Sequence, residues 1–271
     1  VEPDLFTALP GEQARTAGVD SRAQNRTAGI DSRTPGPAEL SRMRITSLLL
    51  AAGSHPAALA APLADLADQD DRVGPILALA RKADQGGLSA KEAKLVELLG
   101  ANRQGKALVF ANFTATLDRL AGVLTGAGIP FSMFTGRQTA AEKAQAVESL
   151  RSQVPIMLCS EVGGEGHNLQ FANTLINFDL PWNPMRIEQR VGRIHRIGQT
   201  REVFIFNLCT AGSLEERILR LLHEKIRMFE LVVGEVGSIL GNLEGGEEFE
   251  SLVLNLWMQS RGPGDLDQAF E

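Results

Sequence analysis

Two cysteines, Cys159 and Cys209, are too few for a disulfide framework. Both stand at the ends of apolar runs, where a buried thiol is expected. No apolar stretch approaches the ~20 residues that a membrane-spanning helix needs. No apolar core follows Val1, as a signal peptide would require, so a cytoplasmic setting is expected. Positive charge is also in short supply, with 27 Lys and Arg against 33 Asp and Glu, a net charge of −6. A field of that sign does not draw in nucleic acid, so any such site has to be a local patch. The densest basic patch is Arg186, Arg190, Arg193, Arg196 and Arg201.

Several kinds of chemistry are missing as well. No Gly-x-x-x-x-Gly-Lys-[Ser/Thr] phosphate loop occurs, since Gly105-Lys106 lacks the earlier glycine and runs into Ala107. There is no Asp-Glu-x-His box. His195 has no second histidine at metal-ligand spacing, so no metal site is expected, and packing or a hydrogen bond is its expected role. No nucleophile elbow surrounds Cys159, which argues against an independent hydrolase.

What is there reads as an alternation. The segments 107–110, 131–134, 156–159, 174–178 and 203–208 are short apolar runs rich in Val, Ile and Phe. Helix-length stretches lie between most of them. One carries Leu117, Leu120 and Leu124 at helical spacing. Another opens on the capping box Thr139-Ala140-Ala141-Glu142, and a third starts at Asn183 as N-cap with Pro184 behind it. Near-continuous apolar strands separated by helices mean a parallel sheet covered on both faces. Ligands in such sheets bind beyond the carboxyl ends of the strands.

Around this core, residues 1–38 lack periodicity and contain a two-unit duplication, Arg15–Arg22 against Arg26–Arg33. They read as a flexible linker or insertion. Residues 39–100 read as a helical segment, with a capping box at Ser89-Ala90-Lys91-Glu92, a stripe of Leu95, Leu98 and Leu99, and Gly100 as terminator. Residues 101–240 hold the alternation. They close on a helix from Ser213 with Leu214, Ile218, Leu221, Leu222 and Ile226 on one side. The tail, 241–271, repeats helical spacing through Phe249, Leu252, Val253, Leu256 and Trp257, as a core stripe or a partner-docking helix.

The segment from Ser160 to Gln199 is the most specific. It joins Gly163-Gly164-Glu165-Gly166, Trp182-Asn183-Pro184 and Gln189-Arg190-Val191-Gly192-Arg193-Ile194-His195-Arg196. Glycines let backbone N–H groups approach an anion, and arginines present forks that match phosphate. In order and spacing this block resembles the C-terminal RecA-like lobe of superfamily two helicases of the Snf type, the DNA translocases and chromatin-remodelling ATPases. Lys106–Thr114, Phe134-Thr135-Gly136, Ser213-Leu214-Glu215-Glu216 with Lys225, and His55-Pro56 extend the likeness over about residues 40 to 235. Glu161, Glu165 and His167 depart from the usual glycine turn. With Asn112 and Leu180-Pro181 they are more similar to the bacterial RapA-like branch. Glu161 and Glu165 are unfavourable beside phosphate and are expected to meet a cationic residue.

The resemblance implies an α/β fold, a three-layer RecA-like lobe with a mostly parallel sheet. It implies half of an ATP-dependent double-stranded DNA translocase, whose N-terminal lobe binds most of ATP and Mg²⁺. Arg193 and Arg196 would be arginine fingers acting on ATP across the cleft. Gln189, Gly164 and Gly166 would approach the nucleotide, and Gly192 would let the helix pack closely. Asn112, Phe113, Thr135, Gly136, Ser160, Trp182 and Asn183 would face DNA, although Trp182 could equally be core. The implied partners are the N-terminal lobe, double-stranded DNA, and RNA polymerase or another protein complex. The different-class alternative is a non-catalytic interaction module that kept the lobe fold.

Overall fold

A computed structural model describes residues 41–101, 105–161, 169–195, 202–224 and 246–260. All of these fall within one compact unit, Pro37–Glu271. The five apolar runs form five strands: β1 (Ala107–Phe110), β2 (Phe131–Phe134), β3 (Ile156–Cys159), β4 (Thr174–Asn177) and β5 (Phe204–Asn207). They pair in the order β2-β3-β1-β4-β5, and every pairing is parallel. The α/β reading with a parallel sheet therefore holds.

Alternation along each strand splits the core into two layers, because successive side chains point to opposite faces. Ala107, Val109, Leu158 and Ile176 pack on one side against Leu117, Leu120 and Leu124 of α5 (Thr114–Gly126). Leu95 and Leu99 of α4 (Ala90–Ala101) join that cluster, so this helix is built into the sheet's own core. Leu108, Phe110, Met157 and Leu175 face the other way, toward Ala146 and Leu150 of α6 (Ala140–Ser152). Lys106 reaches the carbonyl of Val154 through Nζ at 3.0 Å, which gives this lysine a structural task.

Helix starts follow the capping signals. Thr139 and Glu142 form the reciprocal box at the head of α6, and Ser89 and Glu92 do the same for α4. Ser213 caps α8 (Leu214–Glu224), but Glu216 returns its bond to the N–H of Gly212, one residue earlier than a regular box. In the helical segment, α1 (Arg42–Ser54), α2 (Pro56–Ala67) and α3 (Gly74–Asp84) precede α4. His55 caps α2 by accepting from Ala57 N–H at Nδ1, which leaves Nε2 to face Glu92 at 3.4 Å. Burial lowers the His55 pKa against the pull of Glu92, so the ring stays neutral.

A third cluster joins α7 (Pro184–Val191), α8 and α9 (Gly246–Gln259) through Ile187, Val191, Ile218, Leu222 and Val253. Of the tail stripe, Val253 takes a core place in that cluster, while Leu256 and Trp257 are only partly buried. No described helix is long and apolar enough to cross a membrane. Cys159 is fully buried, with its thiol pushed up to about 12 by that burial, whereas Cys209 is only half-buried. The expectation of two buried thiols therefore holds for Cys159 alone, since Cys209 lies just past the last strand.

Candidate functional site at the carboxyl ends of the strands

In this sheet the connection after β1 runs toward β2, and the one after β4 runs toward β5 on the opposite side. The crevice between the carboxyl ends of β1 and β4 is thus the switch point where a ligand would ordinarily settle. Here it is filled from within. Arg190 of α7 is only 1% exposed. Its Nη1 donates to Asn177 Oδ1 at 2.7 Å and to the carbonyl of Asp179 at 2.9 Å. Nη2 donates to Asn112 Oδ1 at 2.9 Å and to Glu161, and Nε donates to Glu161 Oε2 at 3.1 Å. The guanidinium also lies over the Phe110 ring, 4.9 Å from its centroid. All five N–H groups of a guanidinium are accounted for.

The basic patch therefore loses its second member, Arg190. Arg190 shares the inward side of α7 with Ile187 and Val191, at helical spacings of three and four. Arg186 and Gln189 are exposed on α7, whereas Arg193, past the C-cap, is half-exposed with its Nε buried. Sequence spacing contained that signal, but the charge of Arg190 hid it. Glu161 does meet a cation, and that cation is Arg190.

Gly192 forms the C-cap of α7. A Cβ there would stand 3.4 Å from the Glu188 carbonyl, an ordinary contact, so close packing does not require this glycine. Arg193 continues the turn, with its N–H on the Arg190 carbonyl at 3.2 Å, and His195 N–H reaches Val191. Arg196, Gly164 and Gly166 lie outside the described residues.

The expected nucleic-acid-facing residues gather along the same edge in two groups. Ser160 Oγ accepts from Gly136 N–H at 3.2 Å, while Thr135 N–H goes to Gln138 Oε1 at 2.7 Å. Ser160, Thr135 and Gly136 are thereby brought together above β2 and β3. Asn112, Phe113 and Asn183 stand past β1 and β4. Asn112 serves the interior as well, because its backbone N–H donates to Asp179 Oδ2 at 2.7 Å. Asn183 caps α7 by accepting from Met185 N–H at 2.9 Å. Trp182 is 1% exposed and packs with Leu180, Ile187 and Val191, which gives it the core place of its two possible roles.

Asp179 is the residue that sequence reading missed. It is buried, and Oδ2 collects bonds from Ser54 Oγ at 2.9 Å and from Asn112 N–H. Thr116 Oγ1 stands 2.6 Å from the same serine. Burial raises the Asp179 pKa, opposed by Lys91. Its position directly after an apolar strand was the available signal, since polar residues at strand carboxyl ends form sites.

Comparison with known proteins agrees with this architecture. Residues 90–198 match the helicase conserved C-terminal domain. The uncharacterized ATP-dependent helicase YqhH of Bacillus subtilis (strain 168) is 39% identical over 188 residues, which is 67% of this chain and 34% of that protein. The RNA polymerase-associated protein RapA of Proteus mirabilis (strain HI4320) is 37% identical over 178 residues, 64% of this chain and 18% of that one. The chain thus spans about a third or less of the length of these relatives. The solved C-terminal part of the Fun30 ATPase domain covers 62% of this chain and 54% of its own, at 31% identity and a TM-score of 0.47. The chain carries the helicase conserved C-terminal domain of Snf2-like ATP-dependent helicases.

Proposed function

We propose that this chain is the C-terminal lobe of an ATP-dependent translocase on double-stranded DNA. Residues 101–240 are the lobe, 39–100 the helical segment leading into it, 1–38 a linker or insertion, and 241–271 a tail helix. ATP and Mg²⁺ are held mainly by the N-terminal lobe of the same protein. Arg193 and Arg196 reach across as arginine fingers, with Gln189, Gly164 and Gly166 near the nucleotide. Asn112, Phe113, Thr135, Gly136, Ser160 and Asn183 supply part of the DNA track, through side chains and backbone N–H groups that position phosphate without reading bases. The shared name of the RapA relatives supports RNA polymerase or another protein complex as a further partner.

One observation carries this reading. Gln189 is exposed on α7 and Arg193, just past its C-cap, is half-exposed, while Arg190, in the same basic run, is fully engaged inside. An exposed amide with a half-exposed guanidinium at the rim of a strand-end crevice suits a phosphate presented from outside. When bound, ATP supplies the phosphoryl group whose developing charge a finger stabilises.

The test is ATP hydrolysis by the full-length parent, with and without duplex DNA. Arg193→Ala and Arg196→Ala should each lower duplex-stimulated turnover by on the order of 10³–10⁵. ATP affinity should be largely kept, because a finger acts on charge that develops during transfer. Parental turnover by Arg196→Ala on saturating duplex would remove the finger assignment.

A further inference from the structure

A buried guanidinium is a costly way to hold a helix in place. Apolar residues of similar volume would secure α7 with no charge to desolvate. What the guanidinium adds is angular definition, because its planar fork accepts partners in one orientation only. Arg190 uses that property fully. Its donors end on Asn112 after β1, on Glu161 after β3, and on Asn177 and Asp179 at the end of β4. One side chain thus reads three neighbouring strand ends and fixes the rotation of α7 about its axis. That rotation decides where Gln189 points, since a helix turns by about 100° per residue. It also sets the C-cap turn from which Arg193 follows, with its N–H on the Arg190 carbonyl.

The partners are not equivalent. Asn177 and Asp179 are buried, whereas Glu161 is 27% exposed at its side chain. Among the described residues Glu161 is also the only one with a carboxylate oxygen bonded to the guanidinium, and the glycine-rich segment of the sequence begins just after it. The inner bonds hold Arg190 in place, and the outer pair to Glu161 can be made or broken from the rim.

We propose that Arg190 is a positioning residue, coupling the end of β3 to Gln189 and to the C-cap turn that carries Arg193, with Glu161 as its releasable arm. This rests on the helicase-lobe reading above for its consequence, but not for its geometry.

The first measurement is made on the full-length parent. Glu161→Gln keeps the shape of the arm and removes its charge. It leaves the buried Arg190 charge without a counter-ion, so its melting temperature should fall while the fold and all five guanidinium bonds are kept. KM for ATP should stay within about twofold. Duplex-stimulated kcat should fall on the order of tenfold to a hundredfold, the cost of a misplaced catalytic group. Arg190→Lys should fall at least as far, and the double variant no further than Arg190→Lys alone, because both act through one link. Folded variants with parental kcat, or losses that multiply, would overturn the proposal.

The second measurement needs no activity. In this chain by itself, Glu161→Gln should speed amide hydrogen exchange at Gly192, Arg193 and Ile194, and leave α5 unchanged. Unchanged exchange there overturns the coupling even if the parent is an active ATPase. Raised exchange in a parent without duplex-stimulated turnover would sink the helicase reading and leave the coupling standing.

Discussion

Lys91 and Glu215 meet in the interior, with Nζ 2.9 Å from Oε2, although 124 positions separate them in sequence. The side chains are 6% and 5% exposed. Lys91 also donates to the carbonyl of Gly53 at 2.8 Å and stands over the Phe178 ring, 5.0 Å from its centroid. The end of α1, the first turn of α4 and the first turn of α8 are thereby tied at one point. Glu92 makes a second tie nearby. Burial works to raise its carboxyl, but hydrogen bonds from Arg119 and Ser89 outweigh it and hold the group below its ordinary value.

Removing one partner of the first pair should hurt more than removing both. Glu215→Leu leaves the Lys91 ammonium with the Gly53 carbonyl, the Phe178 ring and the charge of Asp179 but no hydrogen-bonded carboxylate, and should cost about 3–5 kcal/mol. Adding Lys91→Met should recover much of that loss. Urea unfolding of the two variants against the parent chain measures the difference. A double variant as unstable as the single one would show that the pair contributes beyond its own compensation.

The same carboxyl gives a pH signature. Burial pushes Glu215 up from 4.5 to about 7, against the pull of Lys91. Between those values the folded chain holds a proton that the unfolded chain has released. The contribution is complete below 4.5 and is lost as pH rises through about 7. His55 runs the other way, since its lowered pKa makes its contribution fade as pH falls. Subtracting the parent's melting temperature from that of Glu215→Gln isolates the carboxyl. The difference should climb between about pH 5 and about pH 8. A flat or falling difference contradicts the assignment.

Gly53 faces the same cluster at closer range. A Cβ there would stand 2.7 Å from Glu215 Cδ, so the carboxylate must move and strain its bond to Lys91. Gly53→Ala should therefore cost about 1–3 kcal/mol as overpacking. In a Glu215→Ala background the penalty should largely vanish, which thermal melts of the two pairs can establish. An equal penalty in both backgrounds would point to helix backbone effects instead.

Asn183→Ala removes the side-chain cap of α7. The loss should be about 0.5–2 kcal/mol, with the helix start loosened ahead of Arg186 and Gln189. Circular dichroism during denaturant unfolding reports the stability. Asn183→Asp should retain the cap and most of the stability. If it behaves like Ala, the bond to Met185 contributes little.

For the chain on its own, binding of duplex DNA should be weak, of order 10⁻⁴–10⁻⁶ M or poorer, and sensitive to salt. The net charge of −6 opposes the approach of phosphate. No ATP turnover is expected from the isolated chain, because its sequence has no phosphate loop. Fluorescence anisotropy across a salt series and a phosphate-release assay check the two expectations. A nanomolar, salt-insensitive complex would contradict the first, and turnover by purified chain the second.

The five strands were legible before any coordinates, because burial on both sheet faces demands short continuous apolar runs, and 107–110, 131–134 and 156–159 are reproduced to the residue. Helix starts at Thr139 and Asn183 were legible too, since capping is decided by residues three or fewer apart. Only the tertiary structure settled what the charged residues do. Arg190 reads in sequence as one more member of a basic run. It becomes an interior hub because the strand order sets β3, β1 and β4 side by side, and so gathers Glu161, Asn112, Asn177 and Asp179 around one guanidinium. In sequence, Lys91 and Glu215 stand only as members of two helix-start segments, and it is the packing of α4 and α8 against the end of α1 that closes water out around both. Local patterning fixes which backbone each segment adopts, whereas the fate of a charge depends on which distant segments the sheet topology brings to it.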